Sequence, residues 1–531
     1  MAQTIEKLEK LPIIVPKVER TQHVLIDSSP KRIAEEVYDL PYADTACALT
    51  LARQKLKTIN RFYLAGAKRE AACEPFNYAF SKFVDYYRSF HHSARFSRQP
   101  AKEDLLEMSQ FTQELAYSYK LAFLDYYENK KKHADIARSL YTALYFLGQS
   151  MLQSYEQNLW QSPRLWQEVH CLYGIAEEAG YLGQEIPSVA PTPRPLTIEG
   201  LYTQILLTAL ADPYQMQQGS HWLVYDYAGR WAHEAYLFKA NDLQRLEYGF
   251  ALRLDSNKPP LSIRKLPRQM HPKFRFLITE TLVYKIDDQL TGLKSGQPSR
   301  ITGLKDEGLN RNLWIETLNH LRKHWGEKPQ RASRREAATD SAKSCTVIWG
   351  LGEIHKMLNP QARQQAKILN KPLALKNRTS AVMMNESHSG IGLTFQEKQL
   401  EQFQIGQLLA WVRQKNGKTI FELGTVQWIA TSLNNTLQCG IKKVQYRAKA
   451  VEIYADKEQN NDRPGLLLAL PYDEYQLIAP TSFLKIGDQA TVHTLVNDLW
   501  HDVVVEGYIR STDYITQLDV TLNTRSPFAG L

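Results

Sequence analysis

The pattern of apolar residues is helical from residue 29 to about residue 240, and residues 29–245 are assigned to one helical domain. Within 103–129, apolar side chains recur every three or four positions and therefore share one face of a helix. These residues are Leu105, Met108, Phe111, Leu115, Tyr119 and Ala122. The same spacing predicts helices over 136–155 and 163–180, joined by short connections. We predict an all-α domain of helical hairpins that is repeat-like, although it has no clean 34-residue period.

Two segments of the N-terminal half depart from this pattern. Residues 1–28 have no sustained period and are interpreted as an irregular arm. Ser29 and Pro30 then favour a helix start, since a serine cap is often followed by proline at the first helical position. Residues 187–196 contain four prolines and predict a linker inside the helical domain.

The period changes after residue 245. Residues 248–254 alternate between apolar and polar side chains, which indicates a strand, and we expect helices over 274–290 and 310–325. Residues 246–327 are therefore predicted to form a mixed α/β connector.

From residue 343 to the end, the pattern is mostly that of β-strands. We assign residues 328–455 to one β domain, followed by a polar connector over 456–464. Residues 465–531 then form a C-terminal β module, which is either a second barrel or a set of strands completing the first. The chain is therefore predicted to be an α+β multidomain protein.

Composition narrows the class of protein. The chain is 43% hydrophobic and 23% charged, which is too apolar for a disordered chain. Its five cysteines are scattered without paired spacing, which suits a reducing compartment and argues against a structural zinc site. No run approaches the roughly 18 apolar residues of a membrane span, and residues 1–7 do not resemble a signal peptide. We expect a cytoplasmic protein.

The net charge of +9 is concentrated in one region. Residues 321–384 hold 13 Lys or Arg and four Asp or Glu, so the rest of the chain sums to zero. A positive field focused in this way concentrates an anionic ligand locally.

Two short motifs lie in this basic region and directly after it. The first is Arg331-Ala-Ser-Arg334-Arg335, and the second is Asn385-Glu-Ser387-His-Ser-Gly390. Guanidinium groups bind phosphates with two parallel hydrogen bonds and also stack on flat bases. An amide and a hydroxyl add hydrogen bonds, and a glycine lets the backbone approach closely. Together these groups suit a small ligand with purine faces and phosphates.

This pair of motifs resembles the signature of the PilZ family, the bacterial receptors for cyclic di-GMP. The resemblance covers roughly residues 328–455, and Gly424-Thr-Val-Gln-Trp428 is similar to the G-x-V-x-W strand of the family. Gly440–Val444 falls where the next strand of the family would lie. The resemblance implies a six-stranded antiparallel β-barrel in which two arginines grip phosphate and guanine while the Asn/Ser/Gly turn completes the pocket. The ligand-binding residues it implies are Arg331, Arg335, Asn385, Ser387 and Gly390, with Arg334 as a substitute for either arginine.

The two motifs are separated by a long gap, from Glu336 to Met384. It contains a predicted strand over 343–349 and a predicted inserted helix over 352–369, broken by Pro360. The receptor hypothesis therefore requires the fold to bring the arginines to the Asn385 turn.

The resulting prediction is a cyclic di-GMP receptor that relays ligand binding through its helical domain to an unidentified protein partner. By resemblance, the process it controls is motility, pili, adhesion or exopolysaccharide production. The chain has no P-loop, no G-x-S-x-G motif and no histidines at metal-ligand spacing, so we expect no enzyme, no metal site and no cofactor.

Two alternatives remain open at this point. In one, the barrel has lost its ligand and the protein is a scaffold. In the other, the basic stretch binds nucleic acid.

Overall fold

The computed structural model describes most of the chain, as residues 11–19, 29–92, 100–187, 195–217, 219–239, 249–266, 271–295, 311–326, 336–337, 344–369, 371, 373–395, 404–415, 418–432, 436–444, 446–455, 462–496, 498–512 and 514–523. They belong to two compact units, residues 1–329 and 330–531. Arg331, Arg334 and Arg335 lie outside the described residues, as do most of the predicted N-terminal arm and most of the 187–196 linker.

The first unit is built mainly of α-helices, as the apolar pattern predicted. The helices are α1 Pro30–Tyr38, α2 Thr45–Asn60, α3 Gly66–His92, α4 Lys102–Glu128, α5 His133–Glu156, α6 Pro163–Glu178, α7 Ile198–Leu210, α8 Ser220–Trp231, α9 Glu280–Lys294 and α10 Arg311–Trp325. Proline occupies the first turn of α1 and α6, as predicted from Ser29-Pro30. No helix among the described residues is long and apolar enough to span a bilayer.

Residues 236–278 contribute a small antiparallel sheet to the same unit. Its strands are β1 Tyr236–Phe238, β2 Phe250–Arg253, β3 Leu261–Ser262 and β4 Phe274–Ile278, in the order β1-β4-β2-β3. Leu252 and Leu277 of this sheet join one hydrophobic core with the helices, and so do Trp314 and Trp325 of α10. The region predicted as a connector is therefore mixed α/β, but it shares its core with the helical domain.

The predicted helix over 274–290 was wrong in its first turn. Phe274–Ile278 is a strand, and the helix begins at Glu280. The first four residues of the strand β4 are buried, and β4 lies between β1 and β2. The strand therefore lacks the alternating exposure of a half-exposed strand. The segment is only five residues long and four of them are apolar, and so short a buried segment cannot be distinguished from part of a buried helix by periodicity alone.

The second unit begins with a closed antiparallel barrel. Its strands are β5 Glu336–Ala337, β6 Ser344–Trp349, β7 Arg378–Glu386, β8 Gly390–Phe395, β9 Leu408–Lys415, β10 Lys418–Thr431 and β11 Leu437–Val444. Six of them follow the order β7-β6-β9-β10-β11-β8, and pairing of β7 with β8 closes the ring. The short strand β5 pairs with the last two residues of β7, beyond the residues that pair with β6. The predicted six-stranded barrel is confirmed.

The C-terminal residues form a second closed barrel. Its strands are β12 Arg447–Tyr454, β13 Asp462–Ala469, β14 Tyr475–Pro480, β15 Gln489–Thr494, β16 Leu499–Ser511 and β17 Ile515–Leu522, in the order β12-β13-β14-β17-β16-β15. The apolar pattern predicts residues 447–454 in the first barrel and a C-terminal module that begins at 465. In the structure β12 pairs with β13 and β15, so it belongs to the second barrel. Local pattern identifies a strand but not its partners, which is why the boundary was misplaced.

The insertion between the two motifs packs between the barrels. It contains β6, as predicted, and the predicted broken helix is observed as α11 Leu351–Leu358 and α12 Pro360–Ile368. Ile354 of α11 is fully buried in a cluster with Leu408 and Leu423 of the first barrel and Leu466 of the second. The added residues therefore supply part of the hydrophobic contact between the barrels.

Candidate functional site on the first barrel

The predicted Asn/Ser/Gly motif forms the tight hairpin between β7 and β8. The backbone N–H of Ser387 donates to the carbonyl oxygen of Gly390 at 2.8 Å, and the Ser387 hydroxyl donates to the same oxygen at 3.3 Å. Gly390 lies against β11, where a Cβ would come within 2.9 Å of the carbonyl oxygen of Ile441. Only glycine fits this approach without a shift of the strand.

One row of residues crosses the outer face of the first barrel beside this hairpin. Asn385 pairs with Gly392, Gly392 with Gly440, and Gly440 with Trp428. Since Leu393, Cys439 and Ile441 fill the interior, the alternation of strands places Gly392 and Gly440 outside.

The two glycines of this row make room for the side chains on either side. A Cβ at Gly392 would lie 3.0 Å from Oδ1 of Asn385, and a Cβ at Gly440 would overlap the indole nitrogen of Trp428. Asn385 and Trp428 are both half-buried. The row is therefore a shallow backbone surface with an amide at one end and an indole at the other.

The predicted arginine segment is joined directly to this row by the chain. Residues 331–335 themselves lie outside the described residues, but the next two residues form β5. In β5, Glu336 pairs with Glu386 and Ala337 pairs with Asn385. The residue after Arg335 is therefore a backbone neighbour of the motif hairpin, across 50 positions of sequence.

Glu386, inside the motif, belongs to a cluster of charged side chains that lies in the barrel. Arg413 donates to both carboxylate oxygens of Glu386 at 2.8 Å, and it lies 3.0 Å from a carboxylate oxygen of Glu422. Lys443 also pairs with Glu386, and it donates to Glu422 at 2.9 Å. Two cations and two carboxylates make this cluster neutral, and it fixes the residue between Asn385 and Ser387.

The charged neighbours in this cluster shift the pKa values of Glu386 and Arg413. Hydrogen bonds from Arg413 lower the pKa of Glu386 to about 2, against the opposing effect of burial, with Lys443 adding to the shift. The same partner raises the pKa of Arg413. Both groups therefore stay charged at neutral pH, and Arg413 is only 5% exposed.

The neighbouring row on the outer face carries Lys442, a cation that does not belong to the Glu386 cluster. Lys442 pairs with Gly390 on one side and with Thr425 on the other. Lys443 points inward to Glu386, so the alternation of the strand places Lys442 outside, where it is exposed. Among the described residues, Lys442 has no carboxylate partner.

Glu386, Arg413, Trp428 and Lys442 are not among the site residues predicted from the sequence. For Trp428 a signal was present, because the strand motif Gly424–Trp428 was recognised, although no role was assigned to it. The partners of Glu386 carried no local signal, since Arg413 comes from β9 and Lys443 from β11.

The structure offers no metal centre in the residues it describes, since no group of three or more His, Cys, Asp or Glu side chains is placed to hold an ion.

A comparison with known families gives a match in the N-terminal half of the chain. Residues 31–240, about two fifths of the chain, match the family described as cyclic-di-GMP receptor FimW, N-terminal domain. No curated protein matches the chain. In its N-terminal domain the chain is thus similar to a cyclic di-GMP receptor that has a large domain of this kind, as the resemblance in the barrel implied. The matched residues cover α1 to α8 and do not include the barrels.

Proposed function

We propose that this protein is a receptor for cyclic di-GMP and that the ligand lies on the outer face of the first barrel, beside the Asn385–Gly390 hairpin. The observation that carries the proposal is the pairing of β5 with β7. It places Ala337 next to Asn385, so the arginine segment leads into the candidate surface. Two independent likenesses agree with it, the motif pair in the barrel and the family match over residues 31–240.

The chemistry of the surface fits a guanine dinucleotide. The Asn385 amide both donates and accepts, as the edge of guanine requires. The Ser387 hydroxyl donates to a phosphate oxygen after it rotates away from the carbonyl oxygen of Gly390, and Gly392 and Gly440 allow a flat base to approach the backbone. Arg331, Arg334 and Arg335 supply the cations that hold phosphate and stack on guanine. Trp428 supplies an aromatic edge to the same row.

The relay to the helical unit runs through the segment that carries the arginines. Trp325, the last residue of α10, is fully buried, and its indole N–H donates to the carbonyl oxygen of Leu207 at 2.8 Å. Ten residues join Trp325 to β5, and the three arginines lie among them. Ligand bound to these arginines orders the segment that joins the helical unit to β5. The helical unit then presents a different surface to a protein partner, to the extent that the ligand favours the ordered state.

By the same resemblance, the process downstream of this partner is motility, pili, adhesion or exopolysaccharide production.

Isothermal titration of the full-length protein with cyclic di-GMP tests the proposal. We expect saturable binding that is abolished by Arg331→Ala combined with Arg335→Ala. The matched control is Arg363→Ala combined with Lys367→Ala, which removes the same charge from exposed positions of α12 and should leave the affinity unchanged.

Two outcomes would overturn the receptor proposal. If the wild-type protein shows no heat with cyclic di-GMP, the barrel is a scaffold. The second outcome is that the protein binds an oligonucleotide with an affinity that falls steeply with salt, while Arg331→Ala combined with Arg335→Ala does not change the binding of cyclic di-GMP. In that case the basic stretch binds nucleic acid.

A further inference from the structure

The second barrel reaches the candidate face of the first barrel through Arg510. Its guanidinium Nη1 donates to the hydroxyl of Thr425 at 2.6 Å. Thr425 lies on β10, three positions before Trp428, and it pairs with Lys442 across the strands. The side-chain amide of Gln427 donates to the same hydroxyl at 3.1 Å. A cation from β16 is therefore held on the outer row that contains Lys442 and Gly390.

Local features of β16 hold Arg510 in this position. The register of β16 against β17 shifts between Tyr508 and Arg510, and a bulge of this kind turns the side chains that follow it. The hairpin end just beyond Arg510 is fixed to the first barrel, since the Thr512 hydroxyl donates to the carbonyl oxygen of Gly406 at 3.3 Å.

Gly406 is suited to this contact because it has a φ of +83° and a Cβ there would lie 2.7 Å from Cγ2 of Thr512. The contact is thus close enough to fix the position of Arg510 relative to Thr425.

Among the described residues, Arg510 has a hydrogen-bond partner but no carboxylate that neutralises its charge. In the part of the chain that the structure describes, Thr425 is the only side chain that it contacts through a hydrogen bond, and no carboxylate pairs with it. Burial lowers the pKa of Arg510, without an opposing contribution from an acidic neighbour. Lys442 next to it is also unpaired among these residues, whereas inside the barrel every cation of the Glu386 cluster is matched.

Two adjacent cations without anions indicate a site for an anion that is not part of the chain. A partly desolvated guanidinium group is costly unless it is paired, and a phosphate group neutralises it together with the exposed ammonium group of Lys442. Thr425, Lys442 and Gly390 are successive cross-strand neighbours, each pair separated by roughly 5 Å. A ligand beside the motif hairpin is therefore within reach of both cations.

We propose that the ligand site is shared by the two barrels, with Arg510 of the second barrel and Lys442 of the first binding a phosphate group of the cyclic dinucleotide. This inference rests on the proposed function. It adds that the C-terminal barrel is a component of the binding site, and that ligand binding strengthens the contact between β16 and β10.

The test is isothermal titration of the full-length protein with cyclic di-GMP, comparing Arg510→Gln with the wild type. Loss of a charge-assisted hydrogen bond should raise Kd by roughly ten- to hundredfold. Lys442→Gln should raise it in the same direction, and Arg510→Lys should keep part of the affinity. The matched control is Arg463→Gln at an exposed position of β13, which removes the same charge and should leave Kd unchanged.

The variant Thr425→Val distinguishes a purely structural role of Arg510 from a role in ligand binding, because it removes the hydroxyl partner of Arg510 but no charge. If Arg510 only joins the barrels, Thr425→Val and Arg510→Gln will lower the thermal midpoint alike and neither will change Kd, which overturns the inference. In that case the wild-type protein still binds cyclic di-GMP and the receptor proposal stands. Absence of binding by the wild type overturns the receptor proposal itself.

Discussion

Arg413 donates two hydrogen bonds, each 2.8 Å long, to the two carboxylate oxygens of Glu386, although Arg413 lies in the barrel and Glu386 lies within the motif hairpin. This pair links the interior of the barrel to the backbone that presents Asn385 and Ser387. The hairpin geometry therefore depends on a charge cluster that the ligand does not need to touch.

Removing one partner of this pair should destabilise the first barrel. In Arg413→Ala, Lys443 is the one cation of the cluster that remains for Glu386 and Glu422, and the Trp411 indole N–H that donates to Glu422 carries no charge, so two partly buried carboxylates lie close together without adequate compensation. We expect a loss of about 2–4 kcal/mol in the free energy of unfolding. Scanning calorimetry of the full-length protein should show a lower midpoint for the barrel transition. An unchanged transition would mean that the pair contributes little, and Arg363→Ala serves as the exposed control.

The same cluster predicts how stability depends on pH. The pKa of Glu386 falls from 4.5 to about 2 on folding, so the folded state favours its charged form. This contribution is fully present above the unfolded pKa and is lost as the pH falls from about 4.5 to about 2. The thermal midpoint of the barrel should therefore decrease over this range, and Glu386→Gln should decrease less steeply. Parallel pH profiles for the two proteins would contradict the prediction.

Gly392 should be needed for binding more than for folding. A methyl group there would lie 3.0 Å from Oδ1 of Asn385, so the amide must shift by a few tenths of an ångström from its position on the outer row. We expect Gly392→Ala to weaken cyclic di-GMP binding by roughly five- to tenfold, the equivalent of about 1 kcal/mol of rotamer strain. The control is Gly352→Ala in α11, where no atom lies within 4 Å of the added methyl group. Equal affinities for the two variants in calorimetric titration would argue against a role for Asn385.

The cysteines should differ sharply in reactivity. Burial raises the pKa of Cys345 to about 11 and that of Cys171 to about 12, and it also raises the pKa of the fully buried Cys439. These thiols stay protonated at neutral pH and are poor nucleophiles. Cys47 on α2 is exposed, so iodoacetamide labelling of the native protein followed by mass spectrometry should modify Cys47 first. Equal labelling of Cys345 before denaturation would show that the barrel opens.

Much of the fold was predictable because its signals are local. The apolar stripe of 103–129 identified α4, and Ser29-Pro30 marked the start of α1. The helix in the insertion and its break at Pro360 were also predicted, since proline lacks the N–H that continues a helix. Such features depend on neighbours within a few positions, which the sequence displays directly.

The features of the candidate site also divide into local ones and long-range ones. The sequence by itself determined the arginine segment, the Asn385–Gly390 motif and the concentration of positive charge between them, because these are properties of contiguous residues. Only the tertiary structure decided that β5 pairs with β7, that β12 belongs to the second barrel and that Arg510 donates to Thr425. Each of these is a contact between residues far apart in the chain, and strand pairing of this kind is set by the closure of whole sheets rather than by local periodicity.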